Sequence, residues 1–153
     1  MDDETIEPKR LLIPGLAGLY QFGSKYSYAF MRFCTGMILL PHGVVKLIAW
    51  SPGNYAISIA SHGIPGATIL ATLMILTESF GALFLAIGLF TRFCAVAIAI
   101  EMAVIVTQFQ WQFGYFWTSK GYEFALLWVL LCIGIFFRGG GRYSIDRLLG
   151  REL

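Results

Sequence analysis

The sequence predicts an all-α fold: a four-helix transmembrane bundle with short amphipathic interfacial helices at both termini. Three observations predict it. Of 153 residues, 58% are hydrophobic and 13% charged, about half the charged share of ordinary soluble domains. Mean hydropathy is +0.72, more apolar surface than a soluble chain of this size can hide from water. The apolar residues fall into four runs parted by turn-forming residues.

Residues 1–27 are expected to form a cytoplasmic N-terminal segment. The acidic start MDDETIEPKR lacks the basic-then-apolar order of a secretory signal, so the first apolar helix is expected to be retained. In LLIPGLAGLY, residues Leu12, Ile13, Leu16, Leu19 and Tyr20 share a helical stripe, which reads as an interfacial helix. The transmembrane domain is expected over 28–138, with spans at about 28–50, 66–90, 92–113 and 122–138. Crossing a hydrocarbon core of about 30 Å takes about 20 helical residues. The first three runs reach that length. The fourth is at the short end and is allowed to begin as early as Trp117.

The connections agree with this division. SPGNYAISIASHGIP, residues 51–65, is rich in turn formers, with room for a short surface helix in its middle. Thr91-Arg92 is a tight turn, and residues 114–120 join the third run to the fourth. Gly139, Gly140 and Gly141 stop the last helix. In the tail, 139–153, the segment YSIDRLLG places Ile145, Leu148 and Leu149 on one stripe, with Ser144 as N-cap.

Orientation follows from the basic residues. Lys9, Arg10, Lys25, Arg92, Arg138, Arg142, Arg147 and Arg151 fall on the side of the N-terminus, and Lys120 alone on the other. That bias puts both termini in the cytoplasm. Cys34, Cys94 and Cys132 lie singly in apolar runs and read as packing residues rather than a disulfide or zinc framework.

Ionisable residues inside the spans are costly, which makes them the candidate site. The first span holds Arg32, His42 and Lys46, the second Glu78, the third Glu101, and the fourth opens near Glu123. At 100° per residue, Arg32, His42 and Lys46 fit an arc of about 80°. Glu101, Gln108 and Gln112 make a second polar stripe. The expectation is one polar cavity, open toward the outer leaflet, bounded by His42, Lys46, Glu78, Glu101, Gln108 and Glu123. Arg32 lies deeper, near the cytoplasmic end, with snorkelling as its alternative. Gly81 and Ala82, one turn after Glu78, are small enough to admit a neighbouring helix. Ion pairs that only lock the helices in register remain an open alternative, above all for Arg32 and Glu101. Pro41 shapes its helix, and His62 is an ordinary loop residue.

Several chemistries are excluded. Two histidines, one in a loop, do not make a bis-histidine haem site, and no Glu-x-x-His pair, CxxC or GxxxxGK is present. No metal site is expected. Electrons, if they move here, travel on a lipid-soluble carrier or belong to a partner.

The ordered set Arg32, His42-Gly43-x-x-Lys46, Gly63-Ile64-Pro65, Glu78-x-x-Gly81, Gly88-Leu89-x-Thr91-Arg92, Tyr122-Glu123 and Gly141-Arg142-Tyr143-Ser144-Ile145-Asp146 resembles the DoxX family of small bacterial membrane proteins, from about Pro14 to Asp146. The resemblance implies a four-helix membrane protein tied to oxidoreductase systems; related DoxD subunits belong to a thiosulfate:quinone oxidoreductase. It singles out Arg32, His42, Lys46, Glu78, Arg92 and Glu123. Glu101 is outside the pattern, and Ala82 replaces an expected glycine.

The expected function is a membrane component of a redox system that exchanges electrons or protons with the quinone pool, an oxidoreductase subunit if it is an enzyme at all. His42 would bond a quinone oxygen or pass a proton, Lys46 would stabilise an anionic oxygen, and Glu78 would set the charge state of Lys46. Arg32, Glu101, Gln108 and Glu123 would form the substrate or proton pathway. Trp50, Trp117 and Tyr122, together with Phe113, would line a site for a flat ring, with an aromatic interfacial belt as the alternative. Quinone is the cofactor this points to. Expected partners are the bilayer, a soluble or membrane redox protein and a second copy of the chain, with no nucleic acid. The rival functions are a small proton or anion transporter and a non-catalytic anchor for a soluble oxidoreductase.

Overall fold

The computed structural model describes residues 11–150, and every element among them is helical. The acidic start and Arg151 lie outside the described residues. Helix α1 runs Ala17–Ala49, 33 residues, about 50 Å at 1.5 Å per residue. The segment expected as a separate interfacial helix runs on into the span without a break. No proline separates the two, and isolated glycines such as Gly18 and Gly23 cost only about 1 kcal/mol each in a helix. Pro41 is likewise carried inside α1.

After α1 come α2 (Pro52–Ser61), which starts on the proline at its first turn, and α3 (Ala67–Leu76). The chain passes from α3 through a π-turn, Thr77–Gly81, into α4 (Ala82–Ile87). Helix α5 (Thr91–Val104) likewise continues through a π-turn, Ile105–Gln110, and a 3₁₀ turn, Trp111–Phe113. Helices α6 (Glu123–Arg138) and α7 (Ile145–Leu148) complete the fold. Among the described residues, three stretches are long and apolar enough to cross a membrane: Pro14–Ala49, Ala67–Ile87 and Thr91–Phe113. The fourth expected span corresponds to α6, whose 16 residues rise about 24 Å and fall short of the usual core thickness.

Packing follows the spacing of small and apolar residues. Helix α1 buries Arg32, Thr35, Gly36, Leu39 and Gly43, a three-and-four spacing that makes one face. That face meets the α3–α4 stretch, while α5 pairs with α6. The ring closes where Trp128 Nε1 of α6 donates to the Thr35 carbonyl of α1 at 3.2 Å. Leu39, Leu85, Ile98, Met102, Cys132 and Ile135 belong to the shared core. Cys94 and Cys132 are buried and Cys34 half-buried, all three as free thiols.

The closest helix approach is at two glycines of α1. A Cβ on Gly36 would lie 2.3 Å from the Ala82 carbonyl oxygen, and one on Gly43 would lie 2.2 Å from the Glu78 carbonyl carbon. The sequence argument assigned this role to Gly81 and Ala82. Ala82 fills it as the fully buried contact opposite Gly36. Gly81 does not, since an added Cβ there meets nothing nearer than 3.7 Å.

At the end that carries α7, the tail is fastened by polar groups. Asp146 is 4% exposed and accepts from Phe90 N at 2.7 Å, Thr91 N at 2.9 Å and Thr91 Oγ1 at 2.7 Å. It thereby satisfies the free amides at the start of α5 from across the chain. Arg32 donates to the Leu85 carbonyl at 3.0 Å and the Tyr143 carbonyl at 2.6 Å, so it is buried rather than snorkelling. Gly88 sits at φ +75, and a Cβ there would strike the Arg32 guanidinium at 2.1 Å. Tyr28 donates to the Gly139 carbonyl, and Ser144, the expected N-cap, accepts from Arg147 N at 3.2 Å.

Candidate functional site

A single ion pair links α1 to the π-turn of the second membrane stretch. Lys46 Nζ lies 2.5 Å from Glu78 Oε2, with the two side chains 18% and 4% exposed. The residues around it explain the approach. Gly43, one turn before Lys46, rests directly on the Glu78–Ser79 backbone, so α1 is near enough for the ammonium to reach the carboxylate. The wider π-turn, with its i→i+5 spacing, re-aims the side chains it carries. The Lys46 ammonium also sits 5.4 Å from the centroid of the Tyr55 ring, a cation–π contact from α2.

Glu101 on α5 faces the same pair and feels the charges of Glu78 and Lys46. Both of its carboxyl oxygens are buried, no described donor reaches either, and its carboxyl stands within hydrogen-bonding reach of that of Glu78. Groups from three separate membrane stretches thus share one shielded region. It holds two carboxyls and one ammonium. In such surroundings charges interact far more strongly than in water, so gain or loss of one proton changes the balance of the whole group.

Glu101 also lines a cleft of about 790 Å³ between the α3–α4 stretch and α5, roofed at one end by Tyr55, Ser58 and Ile59 of α2. Phe80, Phe84, Phe90, Phe93 and Phe109 supply aromatic wall. Of these, Phe80, Phe90 and Phe93 are exposed on the outer surface of the chain, as are Leu73 and Ile100 further along the wall. The cleft therefore opens sideways, toward where lipid tails would lie. Gln110 completes its polar lining, with a buried and unpartnered Oε1.

The other sequence candidates lie elsewhere. His42 is exposed and does not line the cleft. The buried face of α1 is centred on Arg32 and Gly43, and at 100° per residue His42 stands about 80° from Arg32, at the face's edge. Gln108 and Gln112 are exposed, and Gln108 reaches no further than Thr107 Oγ1, 3.4 Å away. The π-turn at Ile105–Gln110 adds a residue, which turns the register by about 100°. It takes Gln108 off the Glu101 face and brings Gln110 toward it. A uniform helical wheel has no way to register that insertion. Glu123 begins α6, half-buried and outside the cleft. Arg32 belongs to the tail fastening at the α7 end, and Arg92 is half-buried beside it as the second residue of α5. Trp50 and Trp117 are exposed, while Tyr122 stacks on Trp111 with centroids 5.1 Å apart. Among the described residues, no cluster of His, Cys, Asp and Glu could hold a metal ion.

Thr91 and Asp146 were missed as working residues. Read as a surface helix, the tail hides the burial of Asp146. The usable signal is that Thr91 and Asp146 both stand in the motifs that carry the family resemblance.

The comparisons with known proteins bear on the same region. A family model described as DoxX matches residues 27–111, which contain Lys46, Glu78 and Glu101. The chain is 30% identical over 126 residues to an uncharacterized protein of Haemophilus influenzae, an alignment covering 79% of this chain and 89% of that protein. No solved structure matches significantly.

Proposed function

The chain belongs to the DoxX family of membrane proteins, and from that premise we propose that it is the membrane component of a redox system, exchanging electrons or protons with the quinone pool at the Lys46–Glu78–Glu101 group. One observation carries the reading: a buried carboxyl that no described donor reaches, Glu101, stands between an internal ion pair and an aromatic-walled cleft open to lipid. A quinone is a flat ring on an apolar tail, and it can enter such a cleft from the bilayer without crossing water. In this proposal Glu101 meets the head group. Glu78 holds Lys46 in place, and Lys46 offsets negative charge that develops beside Glu101. His42, at the edge of the same helix and one turn before Lys46, is kept as a proton relay rather than a ligand contact, and Glu123 as a group near the opposite end of the bundle from α7.

The finer topology is proposed with it. Helix α6 would be a fourth, short span, anchored by Trp117 and Tyr122 at one end and Arg138 at the other, as mismatched helices are. Both termini would lie in the cytoplasm of a bacterial inner membrane, since Arg92, Arg138, Arg142 and Arg147 share the end that carries α7. A redox partner or a second copy would meet that end.

The test is mass spectrometry of small molecules retained through gentle purification. The native protein should carry a quinone. Ala97→Trp, which fills the cleft from its wall, should carry little. A native protein free of quinone, or equal retention by both, would remove the reading. Proton flux into liposomes abolished by Glu78→Gln, with no quinone bound, would put a transporter in its place.

A further inference from the structure

We infer that the cleft between the α3–α4 stretch and α5 is built to take the reduced, hydroxyl-bearing form of its ligand: an apolar-tailed aromatic diol in preference to the corresponding dione. This rests on the proposal that the cleft is a quinone site, and adds which oxidation state it selects.

The unsatisfied atoms supply the argument. Three shielded oxygens belong to residues of the cleft wall, Glu101 Oε1, Glu101 Oε2 and Gln110 Oε1; no described donor reaches any of them, and the Glu101 carboxyl stands beside that of Glu78. All three are oxygens of groups that accept hydrogen bonds through those atoms. The nearby cation does not line the cleft: Lys46 is held by Glu78 at 2.5 Å and lies over Tyr55. A proton shared between Glu78 and Glu101 would be used between them and would still leave acceptor capacity facing the cleft. A dione brings two more acceptors and leaves these oxygens as they are. A diol brings two donors. A hydroxyl donated to a carboxyl or amide oxygen satisfies it, and an acceptor buried without a donor is penalised.

Position along the helix adds detail. Glu101 and Gln110 are nine residues apart on one continuous stretch, about 13 Å of rise. One ring reaches one of them at a time. Glu101, beside the internal ion pair, is the resting station. Gln110, toward the α2 roof, is a second acceptor on the way. The side walls are predominantly apolar, as a tail would require.

The test uses the full chain in lipid nanodiscs, titrated without oxygen with decyl-ubiquinol and, separately, with decyl-ubiquinone, and read by tryptophan fluorescence. The diol should bind about tenfold tighter or more. Glu101→Gln places a donor beside the acceptor, so the ratio should fall to about one while the dione still binds. Gln110→Leu should weaken diol binding modestly, leave the dione unchanged and keep most of the preference. If the native protein binds both forms equally, or the dione more tightly, the inference is wrong and the quinone site stands. If neither form binds, both fail together. Should Glu101→Gln not fold, 4-decylphenol against its methyl ether on the native protein decides the same point, since the pair differs by one donor. Equal binding of those two would refute the inference.

Discussion

Gly43→Ala should destabilise the protein by about 3 kcal/mol, the upper part of the range for overpacking a filled interior. The added methyl would stand 2.2 Å from the Glu78 carbonyl carbon and 2.3 Å from Ser79 N. Those are backbone atoms, which have no rotamer to retreat into. Helix α1 would have to move away from the π-turn, and Lys46 would be drawn off Glu78 with it. The comparison variant is Gly81→Ala, in the π-turn itself, where an added Cβ meets its nearest neighbour at 3.7 Å, ordinary contact. Alanine is also the better helix former by about 1 kcal/mol, so this variant should melt at or slightly above the native temperature. Thermal unfolding in detergent checks both. Equal melting of the two variants would show that α1 does not rest on Glu78 as described.

Asp146→Ala should cost about 4 kcal/mol. It strips the acceptor from three donors, the buried Thr91 N and Thr91 Oγ1 and the part-buried Phe90 N, and each orphaned buried donor costs about 1–3 kcal/mol. The carboxylate is also the nearby countercharge for the buried Arg32 guanidinium. Asp146→Asn keeps one acceptor oxygen and should lose about half as much. The tail should loosen together with the start of α5, so limited proteolysis near Arg147 ought to speed up in step with the fall in melting temperature. A tail that becomes protease-sensitive while melting is unchanged would mean that α7 merely rests on the surface.

Much of this architecture can be read from periodicity and composition. The three long stretches emerge from apolar runs of the right length, a short linker helix is expected in the middle of residues 51–65, though it starts already at Pro52, and the end of α6 follows from Gly139. Arg32, Glu78 and Glu101 stand out because charge in an apolar run is costly. What could not be read is what depends on departures from regular helix. Lys46 and Glu78 meet because Gly43 permits contact with a π-turn, and a wheel at 100° per residue holds neither fact. The same irregularity in α5 exchanges Gln108 for Gln110. His42 shows the limit of arc arguments: the buried face is centred on Arg32 and Gly43, and His42, about 80° from Arg32, falls at its edge and is exposed. The tail was misjudged for a different reason. Four residues of helix carry little periodic signal, and the burial of Asp146 is decided by the loop 55 residues upstream that it caps.

The central claim is that Lys46, Glu78 and Glu101, from three membrane stretches, act as one charged group, and a double-mutant cycle measured by thermal unfolding tests it most directly. Lys46→Ala alone should be strongly destabilising, because it leaves two carboxyls together without a cation. Adding Glu78→Gln or Glu101→Gln to it should restore a large part of the loss, giving coupling of about 1–3 kcal/mol for each acid. Strictly additive effects for both acids would mean that the three side chains do not sense one another, and the account of the site would fail.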